Sequence, residues 1–304
     1  MARPAVVAPE VLVQSRLIAV TGATGHLGRA VTADLAARGE RLRLVVRDPS
    51  RAPEGPHEVV MASYGDGDAA RLALAGVDTL LLVSASESAD RLEQHRTVVD
   101  AAVEAGVRHV VYTSFLGAAP DATFTLARDH WATEEHLRAT GVAHTFLRDS
   151  FYLDLLPEFA DESGAIRGPA GAGRVGAVAR ADVARAAAAV LVDPDAHAGR
   201  AYELTGPEAL TLGEVAAVVT EVTGRPTRYV DETLPEAHAS RAAFGAPAWQ
   251  VEAWISTYIA IAVGEVAAVT DDVERLTGRA PLSLAEVLRG SRPRWLSPRP
   301  GPRP

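Results

Sequence analysis

The chain has 304 residues, 48% of them hydrophobic and 23% charged, which is enough apolar content for one large α/β domain or one domain with a small appendage. Its formal net charge of −9 argues against general nucleic-acid binding, because neutralising phosphates needs a basic surface. There is no cysteine, and all 30 basic residues are arginine, so disulfides, thiolate nucleophiles, thiolate metal sites, Schiff-base lysines, a Walker A lysine and any Tyr-x-x-x-Lys acid pair are excluded.

Residues 1–15 read as a short extension without the apolar core of a signal peptide. No stretch reaches the roughly 18–20 uninterrupted apolar residues that a membrane span requires, so a cytoplasmic chain is expected. From residue 16 the pattern alternates. An apolar run at 17–20 precedes a glycine-rich turn and a helix with Leu27, Val31 and Leu35 on one face, closed by Gly39. Strands follow at 42–46, more weakly at 59–61, then at 79–83, 109–113 and 145–148. Helices at 89–105 and 127–140 end at Gly106 and Gly141. Short apolar strands alternating with helices predict an α/β fold: a Rossmann-type, doubly wound parallel sheet covered on both faces.

After residue 150 the alternation loosens. A Gly/Ala-rich loop at 164–176 leads to a helix at 181–192 and a possible strand at 201–204. Thr211-Leu-Gly-Glu214 is a capping box that opens another helix. Residues 234–270 read as mostly helical. Their aromatics Phe244, Trp249, Trp254 and Tyr258 are expected in the core, a lid over a flat substrate being the lesser reading. The predicted organisation is thus 1–15 extension, 16–150 nucleotide-binding domain, 151–288 remaining sheet elements with a small, mostly helical substrate lobe, and 289–304 a Pro/Arg-rich tail.

The glycines Gly22, Gly25 and Gly28 stand between the first strand and the first helix. That spacing suits a tight turn that brings backbone N–H groups and a helix N-terminus against a pyrophosphate. At the end of the second strand Arg47 is placed to meet a ribose 2′-phosphate, which favours NADPH over NADH; the adjacent Asp48 keeps NADH possible. Thr113 and Ser114 close the fifth strand, where either hydroxyl could donate to a carbonyl oxygen. His130 is a candidate proton donor, with Glu134 one turn on to orient it. Tyr112 is expected to pack. No histidine spacing fits a metal, so none is predicted.

Several longer segments resemble the NmrA-like group of atypical short-chain dehydrogenase/reductases, which includes the type-2 NAD(P)H:quinone oxidoreductases and the triphenylmethane reductases. They are TGATGHLG (21–28), VVRDP (45–49), SYGD (63–66), LLLVSASE (80–87), QHRTVVDAAVEAGVRHVVYTS (94–114), ARDHWATEEHLRATGVAHTFLRDSFY (127–152) and ARADVARAAA (179–188). The resemblance runs over residues 17–288. It implies cofactor contacts from Gly22, Ala23, Thr24, Gly25, His26 and Leu27 around the pyrophosphate and from Arg47 at the 2′-phosphate. It implies further contacts from Ser86 and Glu87, and from Asp149, Ser150, Phe151 and Tyr152 near the nicotinamide. Ser63 stands where the family commonly has Asp, and Asp149-Ser-Phe replaces a common Asn-Gly-Trp on the substrate side. The implied activity is hydride transfer from NADPH to a quinone, or to the ketone of a polycyclic aromatic compound such as a polyketide. With no Tyr-Lys pair in the chain, protonation is expected to be assisted by the substrate. The alternatives are a non-catalytic NADP(H)-sensing regulator and a reductase of C=C bonds or cationic dyes. The expected partner is a small aromatic molecule, and the chain is expected as a monomer or homodimer.

Overall fold

The computed structural model describes residues 16–290. The extension read at 1–15 and the tail beyond 290 lie outside the described residues. The last helix takes in Arg289 and Gly290, which the sequence reading gave to the tail.

Seven parallel strands form the central sheet in the order β3-β2-β1-β4-β5-β6-β9. They are β1 (Leu17–Thr21), β2 (Arg41–Val46), β3 (Glu58–Met61), β4 (Thr79–Leu82), β5 (His109–Phe115), β6 (Ala143–Asp149) and β9 (Ala201–Leu204). Every residue of β1, β4 and β5 is buried, as the interior of a sheet covered on both faces requires. Helices α1 (His26–Ala37) and α5 (Arg180–Val192) pack on one face. Leu27, Val31 and Leu35 of α1 share a core there with Val183, Val190 and the alanines of α5. On the other face lie α2 (Gly67–Leu74), α3 (Arg91–Glu104) and α4 (Thr125–Thr140), burying Leu74, Val98, Val99 and Leu137. The sequence reading passed over α2, a helix of eight residues capped by the Asp66 side chain at the Ala69 N–H, 3.0 Å.

The second lobe departs further from expectation. The segment 164–176, read as a loop, holds β7 (Ala165–Gly168) and β8 (Arg174–Val175). They pair with β11 (Arg228–Asp231) and β10 (Leu210–Thr211) respectively. Two of its glycines serve close packing against one helix. A Cβ on Gly168 would lie 2.3 Å from the Tyr258 ring, and one on Gly173 would lie 2.1 Å from the Ile261 carbonyl oxygen. Both neighbours belong to α8 (Ala248–Ala262). The lobe is completed by α6 (Leu212–Thr223), α7 (Leu234–Ala242), α9 (Asp272–Thr277) and α10 (Leu284–Gly290). The capping box at α6 forms as expected, with Glu214 N–H to Thr211 Oγ1 at 3.1 Å and Thr211 N–H to Glu214 Oε2 at 2.8 Å. No helix among the described residues is long and apolar enough to cross a membrane.

Candidate active site

Strand order reverses between β1 and β4, so the crevice outside their carboxyl ends is where an open α/β sheet takes a ligand. Thr21 joins the two strands: its hydroxyl donates to the Leu81 carbonyl at 3.0 Å and accepts the Val83 N–H at 3.0 Å. The turn then doubles back at Gly22, whose φ of +61° suits glycine, and closes with Gly25 N–H to the Gly22 carbonyl at 2.9 Å. A Cβ on Gly28 would sit 2.3 Å from that same carbonyl oxygen, so only glycine lets α1 start this close to the turn. Gly25 is the N-cap of α1 and brings no side chain to it, which leaves the first N–H groups facing the crevice. The cradle therefore fits a pyrophosphate.

Arg47 follows β2 and is exposed. Its guanidinium makes no hydrogen bond or ion pair among the described residues. Asp48 accepts the Ser50 N–H at 3.0 Å and the Ser50 hydroxyl at 2.6 Å. The carboxylate that kept NADH open is thereby committed to a turn.

Ser86 and Glu87 lie in the loop after β4 and line a cavity of about 1090 Å³ between the sheet and the second lobe. Glu87 accepts from Gln250 Nε2 and Trp254 Nε1, both at 3.2 Å, which ties this loop to α8. Buried side chains hold the loop from behind. The Ala85 N–H donates to His95 Nε2 at 2.8 Å, and Arg91 Nε donates to the Ala85 carbonyl at 3.0 Å. Arg91 also donates to His130 Nε2 at 2.8 Å and pairs with Asp129 at 3.3 Å.

These partners fix the two imidazoles. His130 Nε2 accepts from a guanidinium, so its proton is on Nδ1, which faces the Tyr112 hydroxyl at 2.9 Å. His95 likewise accepts at Nε2, and its Nδ1–H donates to Thr133 Oγ1 at 2.9 Å. Burial, with the Arg91 charge adding to it, holds the His95 pKa down to about 3 and that of His130 well below its ordinary value. His130 lines the cavity with both ring nitrogens engaged, Nε2 by Arg91 and Nδ1 by the Tyr112 hydroxyl. Glu134 does not orient it. That carboxylate, fully buried, accepts from Arg148 at 2.6 and 2.8 Å, from Arg138 at 3.1 Å and from the Ser114 hydroxyl at 2.6 Å. The Ser114 hydrogen is thus directed at Glu134. Thr113 accepts the Ser84 N–H at 2.8 Å.

The cavity wall is largely aromatic. Phe115, Phe124 and Phe151 form a cluster with ring centroids 4.9, 4.9 and 5.2 Å apart. Phe244 and Trp254 meet edge-on at 5.9 Å on the side of the second lobe. Of the four aromatics expected in the core, Tyr258 is buried there and also lines the cavity, Phe244 and Trp254 line it, and Trp249 is outside it. The helical spacing that suggested core packing serves a cavity wall equally well.

The last residue of β6, Asp149, and the segment after it, Ser150, Phe151 and Tyr152, line the cavity. The Tyr152 hydroxyl donates to Asp149 Oδ2. Ser150 is 2% exposed, and its hydroxyl has no partner among the described residues, as expected of a group awaiting a ligand. Burial raises the Asp149 carboxyl from 3.8 to about 7 against the opposing hydrogen bond from Tyr152. A pKa raised by folding means stability that is present below about pH 4, falls as pH rises and is gone above about pH 7, an upper bound of about 4 kcal/mol at about 1.36 kcal/mol per pH unit. Asp149→Asn is therefore expected to melt above the wild type at pH near 8 and to lose that advantage toward pH near 5, as circular dichroism melts would show. An advantage that does not change with pH would contradict the raised carboxyl.

No motif marks Arg91, His95 or Arg180 as wall or support residues, although His95 and Arg180 lie within the segments that carry the resemblance. Among the described residues no group of three His, Asp or Glu side chains could hold a metal.

The profile of the NmrA-like family matches residues 14–269. Quinone oxidoreductase 2 of Escherichia coli is 34% identical over 278 residues, covering 89% of this chain and 96% of its own. A (4-alkanoyl-5-oxo-2,5-dihydrofuran-3-yl)methyl phosphate reductase of Streptomyces griseus is 36% identical over 269 residues, covering 86% and 93%. The crystal structure of the Escherichia coli NADPH-dependent quinone oxidoreductase complexed with NADPH matches with a TM-score of 0.81 at 34% identity, covering 90% of this chain and 99% of that one.

Proposed function

Because the chain belongs to the NmrA-like family and carries an aromatic cavity beside a dinucleotide turn, we propose that it reduces a flat, electron-poor acceptor, a quinone or the ketone of a polycyclic aromatic compound. It is an NAD(P)H-dependent oxidoreductase, and its cofactor is NADPH. When bound, NADPH supplies a hydride from C4 of its nicotinamide.

The residues divide the work. Gly22, Ala23, Thr24, Gly25, His26 and Leu27 hold the pyrophosphate through the open N–H groups at the start of α1, and Arg47 holds the 2′-phosphate. Ser86 and Glu87 flank the dinucleotide at the loop after β4. Asp149, Ser150, Phe151 and Tyr152 form the wall beside the nicotinamide, where the unpartnered Ser150 hydroxyl can meet its carboxamide. Phe115, Phe124 and Phe151 keep water out and hold an acceptor ring in register with the reductant; alignment of this kind replaces a large share of the activation entropy.

The observation that carries the reading is the combination of that aromatic cavity with the engagement of both protic candidates, Ser114 with Glu134 and His130 with Arg91 and Tyr112. A quinone fits this site, since its hydroquinone anion is delocalised and takes its proton after hydride transfer. An aryl ketone fits when a neighbouring phenol already hydrogen-bonds the carbonyl oxygen. A protein that only senses dinucleotides has no use for the cavity.

The test is steady-state NADPH oxidation with one-, two- and three-ring quinones and with aryl ketones that carry or lack an ortho hydroxyl. Turnover is expected to favour the larger flat quinones and the ortho-hydroxylated ketones. Reduction of none of them, with NADPH bound, would remove the substrate assignment.

A further inference from the structure

Among the described residues three arginines line the cavity, and two of them are paired with carboxylates. Arg167 pairs with Asp161 at 3.1 Å. Arg241 is buried, pairs with Glu232 at 2.9 Å, donates to the carbonyls of Ala237 and Arg167 at 3.1 and 2.9 Å, and lies over the Tyr258 ring. Both have no charge left to offer.

Arg180 differs. It opens α5 and is half-buried on the cavity wall. Its guanidinium lies over the Tyr152 ring, 5.1 Å from the centroid, and makes no hydrogen bond or ion pair among the described residues. The nearby Asp154 carboxylate is occupied by the Arg180 backbone N–H at 2.9 Å. Asp149 is taken by the Tyr152 hydroxyl and stays protonated to about pH 7, so it supplies no counter-charge at lower pH. The face of Tyr152 fixes the direction of the guanidinium without neutralising it. Five N–H donors in a planar fork are left to face the cavity, a geometry suited to two oxygens of one anion. Removing a cation partly from water without a partner is unfavourable, and an incoming anion reverses that.

We propose that Arg180 is the anchor for an acidic substituent on the substrate, so that the acceptor is a flat quinone or aryl ketone bearing a carboxylate, sulfonate or phosphate group. This deepens the reductase reading and rests on it. The aromatic wall fixes the plane of the rings and Arg180 fixes their rotation within that plane, which selects the ring carbon or oxygen presented to the reductant.

The experiment compares the wild type, Arg180→Gln and Arg180→Lys on 1,4-naphthoquinone and 1,4-naphthoquinone-2-sulfonate. Arg180→Gln keeps the aliphatic stem over Tyr152 while removing the charge. It is expected to lower kcat/KM for the sulfonate about 10- to 100-fold more than for the uncharged quinone, the range of a charge-assisted pair of hydrogen bonds, and Arg180→Lys to recover part of it. Binding is read separately, as quenching of tryptophan fluorescence by anthraquinone-2-carboxylate in the presence of NADP⁺, with the same ranking of variants. Equal losses on both quinones, or no loss on either, would overturn the proposal. So would a loss confined to the Kd for NADPH, which would assign Arg180 to the cofactor. If the wild type turns over neither quinone while the carboxylate binds and Arg180→Gln abolishes that binding, the anion site stands and the reductase reading falls.

Discussion

Arg47→Ala is expected to raise the Kd for NADPH about 10- to 100-fold and to leave that for NADH within about threefold, because what is lost is a charge-assisted, paired contact to a phosphate that NADH lacks. The structure sharpens this contrast. Arg47 has no competing partner among the described residues, and Asp48, which would otherwise hold a 2′-hydroxyl, spends its carboxylate on the Ser50 N–H and hydroxyl. Titration of both dinucleotides by fluorescence or calorimetry reads the result. Equal weakening for both would show that Arg47 supports the turn generally and does not read the phosphate.

Glu134→Ala is expected to destabilise the protein by about 3–5 kcal/mol, the usual consequence of removing one partner of a buried ion pair. Glu134 is fully buried and is the meeting point of Arg148, Arg138 and the Ser114 hydroxyl. Its removal strands Arg148 on β6 and frees Ser114 on β5, two strands whose carboxyl ends form the site. For a chain of this size such a loss corresponds to a fall in Tm of roughly 10 °C. Glu134→Gln keeps the shape and an acceptor for Ser114 and should lose less. A melting point unchanged in Glu134→Ala would mean that solvent already compensates Arg148.

The first half of the fold was legible because its signals are local. Apolar runs flanked by glycine mark β1, β4 and β5, and Gly106 and Gly141 mark where α3 and α4 stop. The glycine turn was legible for the same reason, since Gly22, Gly25 and Gly28 answer to backbone geometry within eight residues. The second lobe was less so. β7, β8, β10 and β11 are two to four residues long and exist only by pairing with strands that are distant in sequence. Gly168 and Gly173 resembled loop glycines because the helix that demands them, α8, packs on them from about 90 residues further along the chain. Candidate site residues were found where a motif named them, and their chemistry was misjudged where a tertiary partner decides it. Helix spacing placed Glu134 beside His130, but β6 brings Arg148 to Glu134 and α3 brings Arg91 to His130.

Hydride transfer without a proton donor from the protein is tested most directly by the single-turnover rate of NADPH oxidation by 1,4-naphthoquinone. Stopped flow would follow it from about pH 6 to about pH 9 in the wild type, Ser114→Ala and His130→Gln, the glutamine preserving an acceptor for Arg91 and a donor for Tyr112. Rates are expected to stay within about tenfold across the variants and the pH range, whereas a positioned general acid contributes about 10²–10⁴-fold. A loss of about 10² or more in either variant with NADPH still bound, or a steep fall above about pH 7 that Asp149→Asn removes, would show that the chain supplies the proton after all.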